Sequence, residues 1–305
     1  MDIAITGASG LIGTALAASL RADGHRVVPV VRRLVADGER AVRWDPSAGT
    51  IDAAALEGVD AVVHLAGAGI GDKRWTPERK QEILQSRSRG TAVLAEALAG
   101  LERKPAVLVS GSAIGYYGDR GDEVLTEASG PGDIFLSEVC VAWEAATGMA
   151  VEAGIRVPIV RTGIVLSADG GALAKTLPLF KAGLGGRMGS GTQWWSWISI
   201  DDEVAAIRWL LDHDVAGPVN LTAPAPVTNA EFTKVLGRVL GRPTVLPVPR
   251  FGPKLLLGGE LAEQLLFASQ RVQPTVLEDH GFTFAHRDLE SALRAVLGRP
   301  APAAA

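Results

Sequence analysis

Thr6-Gly7-Ala8-Ser9-Gly10-Leu11-Ile12-Gly13 decides the fold, because its three glycines stand where an apolar strand-like run, Asp2–Thr6, gives way to a helical one. The first glycine permits a tight turn, and the second lets backbone approach a pyrophosphate drawn to a helix N-terminus. The third lets helix and strand pack closely. Leu11, Ile12, Ala15, Leu16, Ser19 and Leu20 then repeat on one helical face. A glycine triplet alone is weak evidence, but strand before and amphipathic helix after give it the context of a dinucleotide-binding unit.

Further strands read outward from this turn as Arg26–Val31, Ala41–Trp44, Ala61–Leu65, Ala106–Ser110 and Ile155–Thr162, with a helix over 83–98. The runs are continuous rather than alternating, as in a parallel sheet covered on both faces. The expected fold class is therefore α/β, a Rossmann-type doubly wound parallel sheet with a smaller, mostly helical C-terminal lobe. Residues 1–168 form the dinucleotide-binding domain, and a strand–helix–strand passage over 198–222 returns to it. Segments 169–197 and 223–299 build the lobe, and 300–305 is a flexible tail.

The end of the second strand distinguishes the cofactors. An NAD site usually places Asp or Glu about 20 residues past the turn, for the ribose hydroxyls. Here the strand ends Val30-Val31-Arg32-Arg33. Two guanidinium groups and no carboxylate favour a 2′-phosphate, hence NADP(H); the alternative is a solvated arginine pair.

With 305 residues, 47% hydrophobic and 21% charged, the chain can bury an ample core. Its formal net charge of -4, with scattered Lys and Arg, excludes the basic tract of a nucleic-acid binder. No apolar run has the length to span a bilayer, and Met1 is followed at once by the first strand, so a cytoplasmic protein without a targeting peptide is expected. Cys140 is the single cysteine and the five histidines show no ligand spacing, so neither a disulfide nor a metal site is expected.

Other segments carry a resemblance to a known family. His64-Leu65-Ala66-Gly67, Ser110 through Gly118, Arg161-Thr-Gly-Ile-Val165 and Trp197-Ile-Ser-Ile-Asp201-Asp202 resemble the extended short-chain dehydrogenase/reductases. Arg74-Trp75-Thr76, Ser86-Arg87, Gly90-Thr91, Phe135 to Cys140, Trp143-Glu144 and Gln270 to Pro274 narrow this to the subgroup of "epimerase family proteins". The resemblance covers nearly the whole chain. It implies cofactor contacts at Arg32, Leu65, Ala66, Glu82, Arg87 and near Val165, which join those expected of the glycine turn at Gly7, Ser9, Gly10, Leu11 and Ile12 and of the strand end at Arg32 and Arg33. By spacing alone, Glu82 and Arg87 would equally suit a surface salt link.

The chain also departs from that superfamily. Its usual Tyr-x-x-x-Lys pair, in which the lysine lowers the tyrosine's pKa, is absent. Only Tyr116 and Tyr117 exist, and no lysine occurs between Lys104 and Lys175. Phe135 and Val139 stand about where the pair would be. Ser112, at the place of the family's catalytic serine, and Tyr116 or Tyr117 remain as candidates to polarise a carbonyl; Glu138 and Cys140 are weaker ones. Trp75, Trp194, Trp195 and Trp197 suit either an apolar substrate pocket or a packing cluster between the lobes. Lys181, Arg187 and Arg250 are candidate partners for a substrate diphosphate. The function that follows is an NADP(H)-dependent oxidoreductase or epimerase-like enzyme on an unidentified small carbonyl or alcohol. A catalytically silent NADP(H) sensor or scaffold is the alternative.

Overall fold

The structure is a computed structural model that describes residues 1–33 and 40–300. Eight strands form the main sheet: β1 (Asp2–Thr6), β2 (Arg26–Val31), β3 (Val42–Asp45), β4 (Thr50–Ile51), β5 (Ala61–His64), β6 (Val107–Ala113), β8 (Pro158–Thr162) and β12 (Gly217–Leu221). Their order is β12-β8-β6-β5-β1-β2-β3-β4. All neighbours are parallel except β3 and β4. The chain therefore runs outward from β1 to β4, then returns to β5 and runs the other way. That puts the topological switch between β1 and β5, where doubly wound sheets hold ligands beyond their strand ends.

Three two-stranded pairings sit beyond this sheet: β7 (Val124–Leu125) with β14 (Arg271–Val272), β9 (Ile164–Leu166) with β11 (Trp197–Ser199), and β10 (Trp194–Trp195) with β13 (Val227–Thr228). The helices are α1 (Leu11–Ala22), α2 (Pro77–Ala99), α3 (Phe135–Ala145), α4 (Gly148–Glu152), α5 (Gly171–Lys181) and α6 (Ile200–Asp212), followed by α7 (Asn229–Leu240), α8 (Phe251–Leu257), α9 (Gly259–Ala262), α10 (Thr275–Asp279) and α11 (Leu289–Val296). None of them is long and apolar enough to cross a membrane.

Alternation along the strands divides the core. Ile3, Ile5, Val63, Val107, Val109 and Val160 meet α1 and α6 through Leu16, Leu20, Ile207 and Leu210. Ala4, Val28, Val62 and Leu108 meet Leu94 and Leu98 of α2 and Ala150 of α4 on the other face. A third cluster, around Leu177, Trp197, Phe232, Leu236 and Leu293, joins α5, α7 and α11.

Helix α2 begins six residues before the apolar periodicity shows itself. Thr76 accepts from Arg79 N at 3.2 Å and Pro77 takes the first helical position, so a polar first turn is stabilised by its cap. Of the expected tail, residues 301–305 lie outside the described residues.

Candidate functional site

The floor of the site is a polar strut across the switch point. Thr6 Oγ1 accepts from Leu65 N and Ala66 N, both at 3.1 Å. With both lone pairs engaged, its proton goes to His64 Nδ1 at 2.7 Å. His64 Nε2 then carries the ring proton and donates to Thr91 Oγ1 of α2 at 2.9 Å. Burial holds the imidazole pKa down to about 4, with the positive charge of Arg87 adding to this, so the ring is neutral. The strut fixes the ends of β1 and β5 and the flank of α2 together.

Above it, the glycine turn leaves no room for side chains. Gly7 has φ 69°, and a Cβ there would lie 2.9 Å from the Leu65 carbonyl carbon. A Cβ on Gly13 would lie 2.2 Å from Gly7 O. Helix α1 starts at Gly10 with no side-chain cap and no acid in its first turn. Thr76, Ser199, Thr228 and Asp288 cap α2, α6, α7 and α11, whereas α1 shares its uncapped start with α3, α4, α5, α8, α9 and α10 and differs from them in the glycine turn beneath it. The open N–H groups of α1 and the positive end of its dipole therefore face outward beside exposed Ser9 and Gly10. Leu11 and Ile12 are half-buried. A Cβ on Gly170 would meet Leu11 Cδ1 at 3.1 Å, and one on Gly171 would meet Val165 O at 3.5 Å, so β9 ends beside the turn.

Arg32 and Arg33 follow β2 and are exposed. Glu82 and Arg87 do not form the salt link that their spacing allowed. Glu82 is exposed and accepts from Arg79 Nη1 at 2.6 Å. That bond lowers its pKa, with smaller contributions from the charges of Arg79, Lys73 and Arg32. Arg87 turns the other way. It is 7% exposed and donates from Nη1 to Ala68 O at 2.9 Å and to Ile83 O at 3.3 Å. Its guanidinium lies between Gly67 and the Trp143 ring, 5.0 Å from the ring centroid, and burial pulls its pKa down to about 10.

The candidates for carbonyl activation lie together, but as a closed network. Ser112 Oγ donates to Glu144 Oε1 at 2.6 Å. Arg161, the register partner of Ser112, forks onto the same carboxylate from Nε at 2.9 Å and Nη2 at 2.8 Å. The Arg161 guanidinium also lies 3.4 Å from the centroid of Tyr116 and donates to the Tyr117 hydroxyl at 3.1 Å. Tyr117 is fully buried and donates to Asn220 Oδ1 at 2.7 Å. Burial raises its phenol to about 12. Tyr117, expected among the carbonyl donors, is thus a core residue whose hydroxyl is already engaged. Ser112 likewise gives its proton to a carboxylate, which leaves it able to accept from a ligand but not to donate. Tyr116 is half-buried. Burial and the charge of Glu144 push the Cys140 thiol to about 11, so it is uncharged at neutral pH.

Arg161 and Glu144 join the candidate residues in this network, although neither had a role on sequence alone. The available signal was Arg161 inside the apolar run Ile155–Thr162, five residues after Arg156 at the run's start; a charge that deep in a strand requires a buried counter-charge. Phe135, standing near the absent tyrosine, packs edge-on against Trp75 at 5.1 Å and under Lys80 Nζ at 4.4 Å.

A cavity of about 180 Å³ lies beyond the ends of β6 and β8, lined by Arg87, Ile114, Trp143, Ile164, Trp194 and Trp195 among others. The tryptophans divide between the two expected roles: Trp194 and Trp195 line the cavity, whereas Trp197 is fully buried among the helices of the lobe. A wider groove of about 1270 Å³ runs between α1 and α6, but Arg32, Leu65, Ala66 and Arg87 are not in its walls.

Residues 3–222 match the model of the NAD dependent epimerase/dehydratase family, and residues 248–296 match a domain of unknown function. An epimerase family protein of Mycobacterium bovis is 46% identical over 98% of this chain and 98% of its own length. The human epimerase family protein (isoform 2), solved with NADPH, superposes with a TM-score of 0.89 at 33% identity, covering 98% of this chain and 99% of that one. A structure described as a nucleoside-diphosphate sugar epimerase from Corynebacterium glutamicum superposes with a TM-score of 0.79 at 40% identity, covering 98% of this chain and 58% of that one.

Proposed function

The chain belongs to the NAD dependent epimerase/dehydratase family, and on that premise we propose that it binds NADP(H) and acts with it on a small carbonyl or alcohol. The observation that carries this reading is the uncapped start of α1 over a glycine turn, with Arg32 and not a carboxylate following β2. The human relative's NADPH supports the same choice of cofactor.

In this reading Gly7, Ser9, Gly10, Leu11 and Ile12 hold the pyrophosphate, and Arg32 with Arg33 hold the 2′-phosphate. Leu65 and Ala66, fixed by Thr6, offer a flat backbone edge to the dinucleotide, while Val165, Arg87 and Glu82 border it. NADPH, when bound, supplies a hydride to an electrophilic carbon. The chain's own part is to orient the two reactants and exclude water between them. Ser112, bound to Glu144, serves as an acceptor and Tyr116 as the phenol donor. The commitment of Ser112 and Tyr117 to internal partners is also what favours the second reading, a cofactor-binding sensor without turnover.

Arg32→Asp tests the cofactor. NADPH affinity should fall at least about tenfold, about 1.4 kcal/mol, while NADH affinity changes little, read by nucleotide fluorescence titration. Equal loss for both nucleotides would overturn the assignment. Oxidation of bound NADPH by any member of a panel of aldehydes, ketones and quinones separates the enzyme from the sensor. In the enzyme, Ser112→Ala and Tyr116→Phe should lower turnover at unchanged NADPH affinity.

A further inference from the structure

Resting on that cofactor reading, we propose that the cavity beyond β6 and β8 takes a small, uncharged, planar carbonyl compound of one or two aromatic rings, and not a nucleoside diphosphate sugar. Size is the first argument. The cavity holds about 180 Å³, below the roughly 300–1,000 Å³ of sites for drug-sized ligands. A nucleoside diphosphate sugar is at least as large as those ligands, whereas a single substituted ring fits.

The chemistry of the walls is the second argument. Ile114, Leu136, Val139 and Trp143 form one side, and Trp194, Trp195 and Leu265 the other. These are flat or branched apolar surfaces suited to a ring face. Trp194 is held in place without a ligand, because Nε1 donates to Asp122 Oδ1 at 2.8 Å and Arg271 lies 4.4 Å from its ring centroid.

Most polar side chains in the walls are already committed to the protein, Arg87 Nε and Trp143 Nε1 being the buried donors left without a partner among the described residues. Gln264 Oε1 accepts from Leu136 N at 3.1 Å, and Gln270 Nε2 donates to Ile114 O at 3.0 Å. Ser196 Oγ donates to Gln270 O at 2.7 Å and accepts from Val272 N at 2.9 Å. The two glutamine bonds tie the lobe to α3 and to the turn after β6, and the set leaves little to recognise sugar hydroxyls.

Charge is the third argument. A diphosphate buried against the lobe needs cations; of the lobe's candidates Lys181 is exposed on α5 and outside the cavity wall, and the others are engaged. Arg187 Nη1 donates to Gly189 O and Ser190 O at 2.9 and 2.7 Å. Arg250 and Lys254 both pair with Glu263. Arg87, the cation in the cavity wall, is assigned above to the cofactor.

Equilibrium dialysis of the full chain tests this with three probes: 1,4-naphthoquinone, acetophenone and UDP-glucose, each with and without NADPH. The two aromatic carbonyls should bind and UDP-glucose should not. Leu265→Glu, at a residue 38% exposed to solvent, should weaken both aromatic probes about tenfold and leave NADPH affinity and melting temperature unchanged. Trp195→Ala should act in the same direction. UDP-glucose binding as tightly as the aromatic carbonyls would overturn the proposal, as would aromatic binding indifferent to both substitutions. NADPH is measured in the same cells. Aromatic binding without NADPH binding would uphold the pocket's chemistry and overturn the cofactor reading beneath it.

Discussion

Two polar clusters lie under the strand ends, and they use their hydrogen bonds in opposite ways. At β1 and β5, Thr6, His64 and Thr91 are joined internally, but the layer above them is left open: α1 lacks a cap and Arg32 projects from the surface. At β6 and β8, Ser112, Glu144, Arg161 and Tyr117 close on one another, and Tyr117 continues the closure to Asn220. Unsatisfied donors at a helix start cost little in water and are available to an anion. A buried ion pair is costly unless every lone pair and proton is met. The first cluster thus has the form of a binding surface with a rigid floor, and in the second the Arg161–Glu144 pair has the form of a scaffold that holds Ser112. The region where the superfamily's tyrosine and lysine would stand is accordingly not a gap. It is filled by apolar Phe135 and Val139 over a different, closed charge network.

The largest effect should come from opening the closed cluster. Arg161→Ala leaves the Glu144 carboxylate without its bidentate partner, and the Arg161 side chain is 4% exposed. The expected loss is about 3–5 kcal/mol in urea unfolding, with NADPH affinity retained where the variant is folded. The double variant Glu144→Leu/Arg161→Met should recover most of that loss, because both charges leave together. An Arg161→Ala variant of full stability and reduced turnover would show that the ion pair itself, and not only Ser112, belongs to the chemistry.

On the open side, Gly13→Ala should come next. Its Cβ would stand 2.2 Å from Gly7 O, a contact with backbone that no rotamer change relieves. A cost of about 3 kcal/mol is expected, together with loss of NADPH binding, since relief requires the turn itself to move. Retention of NADPH affinity would mean that the turn is not the pyrophosphate site.

The open region was largely legible in the sequence because its demands are local. Gly10 and Gly13 answer to backbone contacts within one turn, Gly7 to its own positive φ as well as to Leu65, and Arg32 follows directly from where β2 ends. The closed region was less so. Ser112, Glu144 and Arg161 come from β6, α3 and β8, and sequence spacing carries no record of which side chains such elements bring together. The Arg161–Glu144 bond spans 17 positions between a strand and a helix. The strut Thr6–His64–Thr91 was hidden in the same way, although His64 was part of a noted motif. The start of α2 was missed for another reason: Pro77 through Glu82 are mostly polar, so periodicity is silent there and only the Thr76-Pro77 cap speaks.

A smaller effect tests whether each cluster rests on a buried titratable group. Under the open one, His64 has its pKa lowered from 6.5 to about 4. Beside the closed one, Glu203 of α6 is fully buried; its Oε1 accepts from Thr162 Oγ1 at 2.9 Å and its Oε2 has no partner among the described residues. Burial raises its pKa from 4.5 to about 8, so it is a neutral acid at pH 7. The two contributions run in opposite directions. His64 binds fewer protons folded than unfolded, so its contribution is complete above pH 6.5 and falls away toward pH 4. Glu203 binds more, so its contribution is complete below pH 4.5 and is lost as pH rises to 8. Between pH 4.5 and 6.5 the slopes cancel, and from 6.5 to 8 only the loss from Glu203 remains, about 2 kcal/mol. Urea unfolding across this range should therefore show a plateau and then a fall. Glu203→Gln should remove the fall and expose the acid limb of His64, a loss of about 3 kcal/mol from pH 6.5 down to 4.5. If the alkaline fall survives that substitution, Glu203 is not the group responsible. If no acid limb emerges, the imidazole under the glycine turn is less enclosed than its two hydrogen bonds indicate.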